Sequence, residues 1–474
     1  MRVFRAAFLS AAAALAAACS SSTLLEPSWT PTTRETAFLD TVQQRTFAWF
    51  WEQTDPAKGL TPDRWPTPSF SSVAAVGFAL TAYPIGAERG YVSRAEARDR
   101  VLATMEFFWT APQGPEPTGV AGHKGFFYHF LDIESGHRFQ QVELSTIDTS
   151  LLLAGMLFCQ SYFDRSDPAE VRIRELADSI YRRVEWDWIQ PRPPLVSMGW
   201  KPEEGFLPYD WTGFNEALLL YVLALGSPTY PIDVTAWGAW TRTYRWGEYY
   251  GYEHVGFAPL FGHHYSHLWV DFRGIQDSYM RGRGIDYFEN AERATRAQQA
   301  YAIDNPMQWR EYGELIWGLT ASDGPVDREM DVNGTPRRFF TYAARGASFT
   351  EVRDDGTIAP TAAGGSVPFA PDITIPALIE MRERYGDALF TRYGFLDSFN
   401  PTFVFDVPVQ HGRVLPELGW VNGDHLGIDQ GPIIGMIENY RTDLVWDVMQ
   451  TNPHIVRGLC RAGFAGGWLA GRCD

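Results

Sequence analysis

Helical apolar periodicity recurs about a dozen times along the chain, and the connections between these stretches are long and rich in glycine. Strand–helix–strand alternation does not recur, and no short repeat stands out. A parallel α/β sheet and an obvious solenoid are therefore both disfavoured. Phe38, Val42, Phe47 and Phe50 begin an amphipathic helix, with further helices expected over Val73–Ala87 and Ala95–Phe108. Others are expected near 147–164, 168–187, 214–226, 232–244, 264–272, 286–303, 311–319, 373–385, 432–448 and 452–462. Alternating aromatics around Glu134-Ser135-Gly136 predict a small β-hairpin within 125–137. The segment 322–371 is rich in Gly, Pro, Asp and Thr and predicts loop with two short strands. Helix count and chain length together fit one all-α domain over 36–474, an (α/α)6 toroid of paired helices. Long loops at one end of its inner helices would build a site.

The N-terminus carries a compartment signal. Arg2 and Arg5 precede an almost wholly apolar run from Ala6 to Ala18, which is too short to be a stable membrane span. Ala16-Ala17-Ala18 before Cys19 resembles a bacterial lipoprotein cleavage box, although Leu15 sits one place early. The expectation is a signal segment over 1–18, acylation at Cys19, a tether over 19–35, and an exported, lipid-anchored protein in the periplasm or on the outer membrane. Cys460 and Cys473 could close a small C-terminal loop in such a compartment or remain two thiols; their spacing leaves both open.

The formal net charge is −17, from 40 basic and 57 acidic residues. Without basic clusters, such a chain makes a poor partner for nucleic acid. Eighteen Trp and 21 Tyr supply flat apolar faces with polar edges, which suit sugar rings as well as cores.

Four segments gather chemistry-bearing side chains. In the first, Ser145 and Asp148 form a capping-box signature ahead of an apolar run, so capping alone would account for Asp148. Glu143 lies outside that cap, and the two carboxylates converge only if the entering loop turns. In the second, Asp210-Trp211 and Gly213 lead to Glu216 in the first turn of a helix. Complementing the helix dipole is one explanation for that position. A carboxyl buried among aromatics, however, has the raised pKa that a general acid needs near neutral pH. The third runs from Gly419-Trp420 through Asp424, Asp429, Gln430 and Pro432 to Glu438. The fourth places His263, His267 and Asp271 four residues apart on one helix face, beside His264 and Arg273. That spacing matches no recognised zinc-enzyme pattern, so no metal is expected there. A nucleophile elbow, a phosphate loop and a zinc-protease motif are all missing.

Taken in order, the blocks Glu143–Thr149, Asp210–Glu216, His264–Arg273 and Leu426–Arg441 resemble the glycoamylase-like domain. That domain is found in glycoside hydrolase family 144, the bacterial endo-β-1,2-glucanases, and in one part of cyclic β-1,2-glucan synthases. The resemblance implies an (α/α)6 toroid, a glucan substrate, and inversion at the anomeric carbon without a covalent intermediate. Two carboxyl groups suffice for that chemistry, so no cofactor is expected. Glu216 is expected as general acid, with Asp148 or Glu143 as base or sugar ligand and Asp429 near the nucleophilic water. Asp210, Trp211, His264, His267, Asp271, Arg273, Trp420, Gln430 and Glu438 are expected to contact sugar. Two other readings share these residues: an exo-acting α-glucosidase or transglycosylase remodelling periplasmic glucan, and a non-catalytic surface glycan-binding lipoprotein.

Overall fold

The computed structural model describes residues 29–473. The signal segment, Cys19 and the tether as far as Ser28 lie outside the described residues. Fifteen α-helices follow in order: α1 (Thr33–Gln53), α2 (Val73–Glu88), α3 (Arg94–Thr110), α4 (Thr146–Tyr162), α5 (Pro168–Arg182), α6 (Ala217–Gly226), α7 (Thr235–Thr241) and α8 (Phe261–Trp269). Then come α9 (Ser278–Arg281), α10 (Tyr287–Asp304), α11 (Pro360–Gly364), α12 (Pro371–Tyr385), α13 (Gly427–Thr442), α14 (Leu444–Met449) and α15 (Pro453–Arg461). Helix α1 opens inside the stretch read as tether, where Thr32 and Glu35 form a reciprocal capping box. No described helix is long and apolar enough to cross a membrane.

Helix α2 packs against α4 and α13, α3 against α5, and α6 against α15. The α2–α4 contact is the most intimate because glycines meet there. A Cβ on Gly77 would lie 2.3 Å from the Leu151 carbonyl oxygen, and one on Gly155 would lie 2.2 Å from that of Gly77. Backbone cannot yield as a flexible side chain can. Gly77→Ala is therefore expected to cost about 1–3 kcal/mol by overpacking. Urea unfolding measures this, and an unchanged midpoint would show that the two helices can part freely.

Three of these helices are each fed by a two-residue strand, and those strands draw the helix N-termini to one end of the molecule. Ser71–Ser72, leading into α2, pairs with Phe130–Leu131. Leu144–Ser145, leading into α4, pairs with Gly199–Trp200. His425–Leu426, leading into α13, pairs with Arg64–Trp65. Backbone bonds from Val73 N–H to His129 O (3.2 Å) and from His129 N–H to Glu143 O (2.9 Å) link the first two junctions. The Gly427 N–H bond to Asp63 O (2.8 Å) holds the third.

The chain is helix-rich as expected, but one small hairpin understates its β content: short strands pair in ten small sheets among the described residues. The aromatic hairpin forms between Gly122–His123 and Phe126–Phe127, turning at Lys124-Gly125, both at positive φ. Glu134-Ser135-Gly136 instead makes a separate turn closed by an isolated Leu131–Arg138 bridge. Six short strands, not two, lie within 321–353. No helix forms over 311–319, since Glu311 (φ 69°) and Gly318 (φ 135°) leave the right-handed region a helix needs. Helix α13 starts five residues before Pro432 and ends at Asp443, whose φ of 58° separates it from α14. Cys460 and Cys473 form a disulfide, while Cys159 is a buried free thiol.

Candidate active site

The gathered helix N-termini carry carboxylates. Glu216 occupies the N-cap position of α6, but its side chain makes no capping hydrogen bond. Its Oε2 is buried with no partner among the described residues. The backbone is held instead, by the Ser266 hydroxyl of α8 donating to Glu216 O at 3.0 Å. Burial, aided by the Asp148 charge, raises the Glu216 pKa to about 7. A cap would be expected to hold its charge against N–H groups; this carboxyl is kept close to neutral.

Asp148 sits in the first turn of α4, where its backbone N–H donates to the N-cap Ser145 hydroxyl. Its carboxylate does not complete a reciprocal box. It meets the Ser145 hydroxyl on one oxygen and stands 3.5 Å from His129 Nε2 on the other. The opposite ring nitrogen, Nδ1, lies 2.8 Å from Glu143 Oε1. The turn needed for Glu143 and Asp148 to converge is thus present, with His129 bridging them. Burial alone would lower the His129 pKa, but Asp148, Glu143 and Asp63 outweigh it and raise it to about 9, so the ring is a cation at neutral pH. Burial would raise Glu143, yet its hydrogen bond with that cation brings it below the usual range. Asp148 is pushed up by burial despite His129.

Asp429, in the first turn of α13, faces Asp397. Asp429 Oδ2 and Asp397 Oδ1 are both buried without a conventional donor, and two adjacent buried carboxylates cannot both ionise. Burial and the Asp397 charge drive Asp429 well above the usual carboxylate range. Burial and the Asp323 charge raise Asp397 to about 6. One proton is therefore shared at neutral pH and one negative charge remains. The other Asp397 oxygen is fixed by the Ser398 hydroxyl (2.8 Å), the Asp323 N–H (2.9 Å) and Asn422 Nδ2 (2.9 Å). Arg64 offsets the surrounding acid, donating to Asp323 Oδ2 at 2.7 Å and lying 3.7 Å from Asp424 Oδ2. Tyr265 of α8 joins the groups: the charges of Asp429, Glu216 and Asp148 all bear on its hydroxyl, after burial, and push its pKa far up.

The other residues expected to contact sugar are engaged with protein partners or buried. Asp210 is locked in a two-pronged pair with Arg192 (2.9 and 2.7 Å). Trp211 is buried and donates to the Thr146 hydroxyl at 3.0 Å, steadying the turn that carries Asp148. His264 lies wholly buried against Gly365, its pKa lowered to about 3 by burial, so it stays neutral. His267 is enclosed by Phe272, Phe288 and Phe369. Asp271 and Arg273 pair with each other (2.8 and 2.9 Å) past the C-terminus of α8. Trp420 is buried and donates to His411 O at 2.8 Å. Gln430 donates to Phe395 O at 3.0 Å. Glu438, near the far end of α13, accepts from Gln43 (2.6 Å) and Arg89 (2.7 Å) and ties three helices together. No His/Cys/Asp/Glu group among the described residues is arranged to hold a metal ion.

Sequence reasoning missed His129, Asp397, Asp323, Asn422, Arg64 and Tyr265. Of these, His129, Tyr265 and Asn422 lie in segments already marked as unusual, while Arg64, Asp323 and Asp397 do not.

Comparison with known proteins gives this arrangement a context. The Glycoamylase family model, described as "Putative glucoamylase", matches residues 208–453, just over half of the chain. The chain belongs to this family. The match includes Glu216, Asp323, Asp397 and Asp429; the His129–Asp148 side of the site lies before it. An exo β-1,2-glucooligosaccharide sophorohydrolase (non-reducing end) from Parabacteroides distasonis is 30% identical over 455 residues, 89% of this chain. The chain spans 57% of that relative's length. A crystal structure named as a putative glucoamylase from Bacteroides uniformis aligns with a TM-score of 0.79 at 30% identity, covering 93% of this chain and all of the other. An endo-β-1,2-glucanase from Chitinophaga pinensis, in complex with sophorotriose and glucose, aligns with a TM-score of 0.78 at 27% identity, covering 92% of this chain and 99% of the other.

Proposed function

We propose that this member of the glycoamylase family is a glycoside hydrolase that cleaves β-1,2-glucan with inversion, built as an (α/α)6 toroid over 36–474. The observation that carries the reading is Glu216: a helix-end carboxyl that caps nothing, has an unpartnered buried oxygen, and is held half-protonated near pH 7. A general acid near neutral pH requires those properties. Glu216 donates its proton to the departing glycosidic oxygen. The Asp397–Asp429 pair keeps one negative charge, carried by Asp397 while Asp429 holds the shared proton, so the pair as a unit accepts the proton of the attacking water, which lies beside Asp429. Charged His129 holds Glu143 and Asp148 in place, with its two ring N–H groups directed at their carboxylates, and leaves the second Glu143 oxygen to accept from a sugar hydroxyl. The sugar names of the Parabacteroides and Chitinophaga relatives support β-1,2 linkages as substrate.

The resemblance to family 144 favours internal cleavage. The Parabacteroides relative's name favours release of sophorose from the non-reducing end, and it is the second reading. Linear β-1,2-glucan of defined length, followed by chromatography and proton NMR, separates them. Endo cleavage gives a ladder of products from the first minutes, and the exo mode gives sophorose throughout. New reducing ends should appear as the α-anomer; β-anomers at first would overturn inversion, and no cleavage of this polymer would overturn the substrate. Export by the segment 1–18 and lipid anchoring at Cys19 in the periplasm or outer membrane complete the proposal, supported by the run from Ala6 to Ala18 and the small residues before Cys19.

A further inference from the structure

A cavity of about 510 Å³ opens at the end of α13 opposite Asp429, and no active-site carboxylate lines it. Its apolar wall consists of Trp29, Phe288, Phe369, Tyr440 and Trp446. Five charged groups, Arg273, Arg296, Glu292, Asp372 and Asp443, line the rest together with Pro368, Pro371 and Asn439. The two guanidiniums engage all three carboxylates and leave the lining one negative charge. Arg296 donates to Glu292 at 2.8 Å and to both oxygens of Asp372 at 2.9 Å. Arg273 lies 3.1 Å from Asp443 and stacks on Trp446, with its guanidinium carbon 4.2 Å from the ring centre.

The lining selects a class of ligand. The net negative charge disfavours an anion, and carboxylates already held by guanidinium groups offer a cation little. Five charged side chains around the opening make the site costly for a purely apolar occupant such as an acyl chain. A neutral ligand with many hydroxyls and an apolar face fits both halves: hydroxyls on pre-oriented guanidinium and carboxylate edges, ring C–H groups on aromatic faces. The volume lies within the range of small-ligand sites. Asp271 and Arg273, which belong to a glycan-like block of sequence yet stand away from the carboxylates, find a use here, since Asp271 fixes the Arg273 fork.

We propose that this cavity is a second glucan-binding site, which holds sugar units remote from the bond being cleaved and raises the effective concentration of polymer at the enzyme. The proposal rests on the reading of the protein as a glucan hydrolase. Its test uses the full chain with Phe288→Ala/Tyr440→Ala as one variant and Glu292→Gln, which keeps side-chain volume, as another. With linear β-1,2-glucan polymer, KM should rise roughly tenfold in the double variant through loss of the second attachment, and less in Glu292→Gln. Turnover of a β-1,2-linked trisaccharide should stay at the wild-type value, because one site suffices for it. Calorimetric titration of Glu216→Gln with a β-1,2-gluco-oligosaccharide should show two binding events, reduced to one by the double substitution. A single event in Glu216→Gln, or a polymer KM unmoved in both cavity variants, overturns the second site. A failed hydrolase reading is distinguishable: wild type would not cleave the polymer, while the titration would still report whether the cavity takes sugar.

Discussion

Glu216→Gln should lower turnover on β-1,2-glucan by about 10² to 10⁴-fold, the usual contribution of general acid catalysis, with substrate binding retained. Gln keeps the volume and most of the hydrogen bonding but has no proton to give. Glycosides with good leaving groups need little protonation, so an activated aryl glycoside that is accepted should lose much less. The pH dependence follows from the raised pKa of about 7. The acid works while protonated, so wild-type activity should fall as pH rises through about 7. Stability runs the same way. A carboxyl whose folded pKa exceeds its unfolded value favours the folded state at low pH, and that contribution is lost as pH rises through the folded pKa. Above pH 7 the wild type carries the strain of a buried, unpartnered carboxylate. Glu216→Gln should therefore gain thermal stability relative to wild type as pH rises from 5 to 8, whereas loss of a helix cap would reduce stability. A Glu216→Gln enzyme with full turnover, or one destabilised across this range, would return Glu216 to a purely structural role.

Asp429→Asn should cost a comparable 10² to 10⁴-fold in turnover, because a general base contributes on the same scale, but with a different signature. Leaving-group activation does not help a step that lacks activated water, so aryl glycosides should be hit as hard as glucan. The substitution also dissolves the shared-proton pair. Asp397 keeps the burial and the Asp323 charge that raise its pKa and loses the Asp429 hydrogen bond that lowers it, so its pKa should not fall below about 6. In the wild type the raised Asp429 pKa favours the folded state at low pH, and that contribution is lost as pH rises above the ordinary carboxylate range. The melting-temperature difference should thus shift in favour of Asp429→Asn as pH rises. Rescue of Asp429→Asn by an activated leaving group would assign Asp429 to the departing oxygen instead of the water. A stability difference independent of pH would mean that Asp429 and Asp397 do not share a proton.

Much of this protein is legible in local sequence. Continuous apolar runs find helices α2 and α4, which are buried on nearly every side, and a face repeating at three and four residues finds α10. Capping signals mark the start of α4, and the acids Glu143, Asp148, Glu216 and Asp429 stand out because they interrupt segments whose backbone demands are already explained. Where residues 311–319 and Pro432 misled, the cause was non-local: the first segment's backbone turns left-handed around buried Trp317, and a strand pairing with Arg64–Trp65 starts α13 early.

What a carboxyl does was left to the tertiary structure. His129 reaches Glu143 and Asp148 only because two strand–helix junctions are stitched together, and Asp397 meets Asp429 across 31 residues of intervening chain. Asp323 and Arg64 arrive from two further segments with no pattern of their own. His264 and His267 were expected to contact sugar, yet both are buried and held neutral, because a one-dimensional stripe does not say which face is buried. A pKa is set by desolvation and by neighbouring charge, and both depend on distances in space. Sequence could therefore name Glu143, Asp148, Glu216 and Asp429, but only the fold adds Asp397 and Asp323 and decides which of these acids keeps its proton.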